Sequence, residues 1–245
     1  MKKNSIVIIL AAGKGTRMRS DLPKPIVPFK SKPIVEHIIE SFRNAGVNDI
    51  NLIVGYGAEQ VKGKIGNGVT YYTQAEQQGT AHAVKQVPES ILKNSTNVFV
   101  FVGDSPLITG NTIKKLEQHH ITTSASCTFL TATFPIDLPY ARVIKDENGK
   151  LIACIEEKNA TPEQLKVKEL LTSHFVFKGA DLVKYLAEIK PDKDNMELYL
   201  TDIIGIMLAK GLKVETLAID NYKELVGLNT PEDIKWAEDA TTIQN

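Results

Sequence analysis

Gly13, Lys14, Gly15, Thr16 and Arg17, with a lysine set between prolines in Pro23-Lys24-Pro25, are residue types that handle phosphate. They follow an apolar run at residues 6–10, which predicts a strand buried on both faces of a parallel sheet. A Gly-rich loop leaving such a strand lies at the carboxyl edge of the sheet, where open α/β folds bind ligands. Gly13 and Gly15 let the backbone approach a ligand and turn its amides toward phosphate oxygens. Arg17 adds a planar fork and Lys24 a point charge, and both suit phosphate. The spacing is neither a dinucleotide fingerprint, since Met18 stands at the third glycine, nor a P-loop, since Lys14 sits between the glycines. An ordinary strand-to-helix turn is the bland alternative, and the order Gly-Lys-Gly-Thr-Arg-Met followed by the proline-flanked lysine disfavours it. The loop is predicted to hold a triphosphate.

A second apolar run, residues 98–102, ends in Gly103-Asp104 and sends a carboxylate to the same edge. Magnesium prefers one or two protein oxygens completed by phosphates and water, so Asp104 is the candidate metal ligand. Its alternative role is a helix N-cap or turn residue before Ser105-Pro106.

Residues 9–25 resemble the signature of the sugar-phosphate nucleotidyltransferases, and are most similar to the uridyltransferase domain of the bacterial N-acetylglucosamine-1-phosphate uridyltransferases. The likeness continues, in the family's order and across nearly the whole chain, through Gln74-Ala75-Glu76-Gln77-Gln78-Gly79-Thr80-Ala81-His82-Ala83, Gly103-Asp104-Ser105-Pro106-Leu107, Tyr140-Ala141-Arg142, Tyr199-Leu200-Thr201-Asp202 and Gly227-Leu228-Asn229. The resemblance implies an α/β fold of the nucleotide-diphospho-sugar transferase type. That is a Rossmann-like, mostly parallel central sheet flanked by helices, with a strand-rich sugar-binding subregion. It implies Mg2+-dependent transfer of UMP from UTP to N-acetylglucosamine-1-phosphate or a related hexose-1-phosphate, releasing pyrophosphate and forming an NDP-sugar of the kind cell-envelope polysaccharides use. Transfer from dTTP or CTP, or to another sugar phosphate or phosphocholine, stays open, because relatives with those substrates share the signature. A binding-only regulatory protein would be free to lose Lys24 or Asp104, and both are present.

By the same resemblance, Arg17 and Lys24 are catalytic, and Leu10, Ala11, Ala12, Gly13, Gly15, Thr16, Gln74, Gly79 and Thr80 hold the nucleotide. Ala141, Glu156 and Thr201 face the sugar, and Asn229 joins Asp104 at the metal. A sugar-1-phosphate, with a second pKa near about 6, is already largely dianionic at neutral pH and needs no general base. The work lies in bringing anions together and stabilising charge, which cations and positioning perform, so the absence of a nucleophile–base pair fits. The Gln74 amide offers a donor and an acceptor matched to the edge of uracil or thymine; otherwise residues 74–78 form a solvated polar loop. Asn229 could instead cap the last helix. His82 is expected to pack or touch ribose rather than act as a base, and His119-His120 reads as a frayed helix end. Tyr199, Thr201 and Asp202 are expected on a helix face near the cleft.

Two positions depart from the uridyltransferase pattern. Ala141 stands where that pattern has glycine, and its Glu-x-Asn-Thr-Gly becomes Glu169-Leu170-Leu171-Thr172-Ser173. Leu171 replaces an amide that would touch the sugar, and an apolar side chain cannot replace those hydrogen bonds.

The 245 residues suit one α/β domain over 1–245, with a nucleotide-binding part at about 1–123 and a sugar-binding part at about 124–230. No hexapeptide repeat is present, so the acetyl transfer of longer family members is not expected. Formal charge is zero, with 29 basic and 29 acidic side chains, which argues against nucleic acid or an anionic membrane as partner. The apolar run after Met1-Lys2-Lys3-Asn4-Ser5 is too short for a signal or spanning segment. Cys127 and Cys154 lack metal-ligand spacing and read as free thiols of a cytoplasmic protein. Oligomeric state is left open.

Periodicity predicts strands at 50–54, 69–73 and 98–102, and helices at 33–46 and 112–120. Strands at 127–133, 142–145, 151–155 and 175–178 follow, with Glu147-Asn148-Gly149 as a hairpin turn. Helices at 180–189 and 197–209 come next, and a terminal helix begins at Thr230-Pro231.

Overall fold

Apolar runs with both faces covered build the centre of the molecule, which a computed structural model describes over residues 4–242. In chain order the first half comprises β1 (Ser5–Ala11), β2 (Pro28–Phe29), β3 (Lys32–Pro33), α1 (Ile34–Ala45), β4 (Asp49–Val54), α2 (Ala58–Ile65), β5 (Thr70–Thr73), α3 (Thr80–Val84), α4 (Glu89–Asn94), β6 (Asn97–Val102) and α5 (Gly110–Thr123). The second half comprises β7 (Cys127–Thr133), β8 (Ala141–Lys145), β9 (Leu151–Ile155), α6 (Pro162–Leu165), β10 (Glu169–Lys178), α7 (Gly179–Leu186), α8 (Asp202–Ala209), β11 (Val214–Ala218) and α9 (Pro231–Thr242). The main sheet runs β11-β7-β10-β6-β1-β4-β5. Of these strands only β10 is reversed, pairing antiparallel with β6 and β7. The arm β8-β9 branches from β10 and supplies the strand-rich subregion.

Side chains alternate between two cores. Ile6 and Ile8 of β1, Val98 and Val100 of β6, and Phe175 and Phe177 of β10 face α3, α7 and α8. Val7 and Ile9, Phe99 and Phe101, and Val176 face α1, α2 and α5. A third, smaller cluster ties Met18 and Leu228 to Phe29, Ile34 and Ala237 of α9. Its members neighbour Arg17 and Asn229 in sequence, so burying Met18 and Leu228 aims those two side chains at one place. No helix among the described residues is long and apolar enough to cross a membrane.

Several expectations need correction. The strand at 175–178 is the last part of a ten-residue β10, in which register shifts between Leu171 and Phe175 and Ser173 adopts φ +60°. The helix placed at 197–209 begins only at Asp202. Residues 198–200 instead form an irregular strap that turns into α8, with Leu198 N–H donating to Gln78 O and Ala81 N–H donating to Leu198 O. His120 is no frayed end: it is buried, with Nδ1 2.9 Å from Thr128 Oγ1. Strand β11 and helix α4 were not anticipated.

Candidate active site

The carboxyl ends of β1 and β6 open into two joined hollows. One, of about 270 Å3, is lined by Leu10 and Ala11 at the end of β1, by Ala12 and Gly13 of the loop that follows, by Lys24, and by Gln74, Gly79 and Thr80. The other, of about 450 Å3, is lined by Arg17, Ala141, Glu156, Leu171, Thr201 and Asn229, among others. Val102, Asp104, Thr80 and Tyr199 line both and form the seam. Gly15 and Thr16 line neither hollow; Gly15 lies against the Lys24 stem, and Thr16 opens the short turn that carries Arg17.

At the seam the Lys24 ammonium donates to Asp104 Oδ2 at 2.5 Å and to Asn229 Oδ1 at 2.7 Å. Arg17 Nη2 donates to the same Asn229 oxygen at 3.0 Å. The backbone locks this arrangement. Leu228 N–H donates to Asp104 O, Asn229 Nδ2 to Gly227 O, and the Asn229 and Thr230 amides to Asp233 Oδ2. Thr230 also caps α9 by accepting from Asp233 N–H, so Asn229 is left to face the crevice. A Cβ at Gly227 would stand 2.9 Å from Asp104 Oδ1, so a side chain there would push this carboxylate out of its position. A carboxylate and an amide oxygen converging on one point are hard donors of the kind magnesium takes when phosphates and water complete its shell. Among the described residues no group of three His, Cys, Asp or Glu could hold a metal, and a magnesium–triphosphate site requires none.

Gln74 is not part of a solvated loop; it is 3% exposed. Its Nε2 donates to Gly79 O at 3.1 Å and lies 3.0 Å from His82 Nδ1. Since a carbonyl can only accept, this contact fixes the amide orientation and leaves Oε1 as the group available to a ligand. The donor-and-acceptor pair expected from sequence is thus reduced to an acceptor. Gly79 holds φ +96°, and a Cβ there would lie 2.5 Å from Leu198 O, so this turn packs directly beneath the strap.

On the other side, Leu171 and Ala141 are register partners on β10 and β8 and are almost wholly buried. They make an apolar floor. Glu156 and Thr201 stand on the wall. Tyr199 lies on the strap rather than on a helix, its hydroxyl accepting from Asn195 Nδ2 at 2.6 Å and its ring 4.8 Å from the Lys158 ammonium. Asp202 departs from the cleft and lines a separate hollow with Asp192 and Asp194. Burial, then Glu156 and Asp192, raise its pKa. Sequence reasoning noted Tyr140 in its motif but missed its task. Its hydroxyl accepts from Gly227 N–H at 3.1 Å, and burial pushes its pKa up to about 12. A tyrosine three residues from an apolar strand core carries no sequence signal for a partner 87 residues away.

These features define a Rossmann-like α/β protein with a crevice at the carboxyl edge of its sheet into which Arg17 and Lys24 reach. The chain belongs to the nucleotidyl transferase family, whose model matches residues 6–237. Bifunctional protein GlmU of Staphylococcus haemolyticus (strain JCSC1435) is 41% identical over 240 residues, covering 98% of this chain and 53% of that protein. The protein of the same name from Exiguobacterium sibiricum is 38% identical over 235 residues, covering 96% of this chain and 52% of the relative. The chain therefore spans about half the length of the curated relatives it matches. A Bacillus anthracis structure solved with a sucrose, described as a candidate glucose-1-phosphate thymidylyltransferase, superposes with a TM-score of 0.79 at 21% identity. It covers 98% of this chain and 96% of its own, and at that identity it speaks for the fold.

Proposed function

We propose that this chain transfers UMP from UTP to a hexose-1-phosphate, releasing pyrophosphate and forming a UDP-sugar, with residues 1–123 serving the nucleotide and 124–230 the acceptor. The observation that carries the proposal is the meeting of Lys24, Arg17, Asp104 and Asn229 at the seam between the two hollows. An α-phosphorus placed there lies between an anionic nucleophile on one side and departing pyrophosphate on the other. Arg17 and Lys24 hold phosphate oxygens in line and balance the charge that builds on them. Asp104 and Asn229 would hold Mg2+, which when bound contributes Lewis-acid charge stabilisation. A cytoplasmic location, where nucleoside triphosphates and sugar phosphates are at hand, is part of the proposal.

Gln74 Oε1 would accept from N3–H of uracil or thymine, whereas cytosine presents a bare ring nitrogen at that place. Thymine shares the imide edge, so Gln74 does not separate UTP from dTTP. In the acceptor hollow Glu156 and Thr201 would take sugar hydroxyls, while the Leu171–Ala141 floor gives an N-acetyl amide no partner. Glucose-1-phosphate is therefore expected to react at no less than about a tenth of the N-acetylglucosamine-1-phosphate rate, a threshold of about 1.4 kcal/mol. Pyrophosphate release measured for UTP, dTTP, CTP, ATP and GTP against a panel of sugar-1-phosphates tests both halves. A higher kcat/KM with CTP or ATP removes the uridylyl assignment, and strict rejection of every sugar but N-acetylglucosamine removes the acceptor one. Silence across the panel removes both.

Arg17→Ala and Lys24→Ala are each expected to lower kcat/KM about a hundredfold or more, as losing one charge-stabilising group does elsewhere. Both side chains reach the crevice rather than the core, so both variants should fold, with Lys24→Ala lowered in melting temperature to the extent that Asp104 loses its cation. Near-parental turnover by both variants would remove the catalytic assignment of the loop.

A further inference from the structure

We propose that Lys24 is the resident counter-ion of the divalent-cation site and yields it only to a triphosphate, so that metal and nucleotide bind as linked partners and the free protein takes up metal poorly. This rests on the reading of Asp104 and Asn229 as metal ligands. The Lys24 ammonium is within 2.7 Å of both candidate oxygens at once, and Arg17 occupies a further direction at Asn229. A magnesium ion held by these two oxygens would draw on the same acceptors that the ammonium now occupies. Ammonium and metal compete for them.

The ammonium cannot simply be absent. The Asp104 side chain is only 24% exposed, and a half-buried carboxylate needs a cation or loses stabilisation. Drawing the ammonium away from Asp104 and Asn229 without giving it other acceptors would leave a largely covered cation unpaired, since its own side chain is 14% exposed. A divalent ion alone satisfies Asp104 and Asn229 but strands Lys24. A triphosphate supplies the missing acceptors: its oxygens can take Lys24 and Arg17 and also complete the metal shell. Lys24 already lines the nucleotide hollow beside Gly13, so the exchange needs only rotation of its stem. Its main chain stays pinned in the turn Lys24–Ile26, with Pro25 and Ile26 buried. By reciprocity, whatever the nucleotide adds to metal affinity the metal adds to nucleotide affinity.

The test uses Mn2+ as probe, with free ion counted by electron paramagnetic resonance, on the full chain without nucleotide. Lys24→Gln and Lys24→Ala are each expected to bind Mn2+ at least tenfold more tightly than the parent, and adding Asp104→Asn to either should abolish the gain. Equal affinity of the parent and folded Lys24 variants, with binding still dependent on Asp104, overturns the counter-ion role and leaves the metal assignment standing. Binding indifferent to Asp104→Asn in every background overturns the metal assignment and the proposal with it. The parent chain gives a second readout that needs no substitution at Lys24. Its 15N-labelled lysine ammonium signal should shift on addition of α,β-methylene UTP without metal, and hold through millimolar Mg2+ alone. Displacement by Mg2+ alone overturns the proposal.

Discussion

Replacing Asp104 with alanine is expected to lower pyrophosphate release by about a thousandfold or more, near 4 kcal/mol of transition-state stabilisation. The size follows from how much the carboxylate does. It anchors Lys24 at 2.5 Å, offers the charged oxygen of the proposed metal site, and sits on the seam where both hollows meet. The fold should survive. Leu228 N–H donates to the Asp104 main-chain oxygen, which alanine keeps, and Gly227 would gain space rather than lose it. Asp104→Asn keeps the shape and loses the charge, so it should fold as well and show its defect as a raised metal requirement. Full turnover by Asp104→Ala, or by the parent in excess chelator, would remove the metal site.

Strands buried on both faces were legible because their apolar runs are short, rich in β-branched and aromatic residues, and lead into glycine-containing turns, as covered parallel strands require. Residues of β1 and β6 show this: alternate side chains enter different cores, and both cores are apolar. The upstream half of β10 was not legible for the converse reason. Thr172, Ser173 and His174 interrupt its apolar character where the strand bulges beside the acceptor hollow. Strand β11 lies at the edge of the sheet with half-buried residues, so its pattern is too weak to stand out. Residues 197–201 read as helical because they lead into one. Pairing of the strap with Gln78 and Ala81 overrides that local preference.

The site was legible as a set of residues and not as a network. Motif order indicated which side chains belong together, and the two hollows do gather most of them. Sequence could not show that the loop cations and the metal ligands are bonded to one another, because those contacts span 80, 205 and 212 residues. Nor could it show that Gln74 spends its donors inside the protein. Both facts depend on chain closure in three dimensions, through the small Met18–Leu228 cluster and the Gly79 turn.

Acidification should unfold the protein well before its carboxylates alone would, and two buried histidines are the reason. Burial holds His120 down to about 4, with Lys178 and His119 adding to the depression. Burial also holds His174 down to about 4, against a smaller opposing pull from Asp104. In the unfolded chain both return to the ordinary value near about 6.5. Between those limits the unfolded state binds protons that the folded state refuses, so stability is intact above about pH 6.5 and falls as pH drops toward 4. A gap of that size corresponds to roughly 3 kcal/mol for each histidine once fully expressed, a large share of a typical domain's stability. The surface pairs act elsewhere: Lys168 holds Asp137 below its ordinary value and Lys158 does the same for Asp192, so both lose their contribution only below about pH 3.8. Neither histidine can be rescued by protonation in place, since each Nε2 is buried without a partner. Urea denaturation followed from pH 7.5 to 4 should show this early loss in the parent chain. His120→Gln, which keeps an amide within reach of Thr128 and cannot take a charge, should flatten about half of it. A parent chain of constant stability down to pH 4.5, or a His120→Gln variant with an unchanged slope, would mean that these rings find room for the proton.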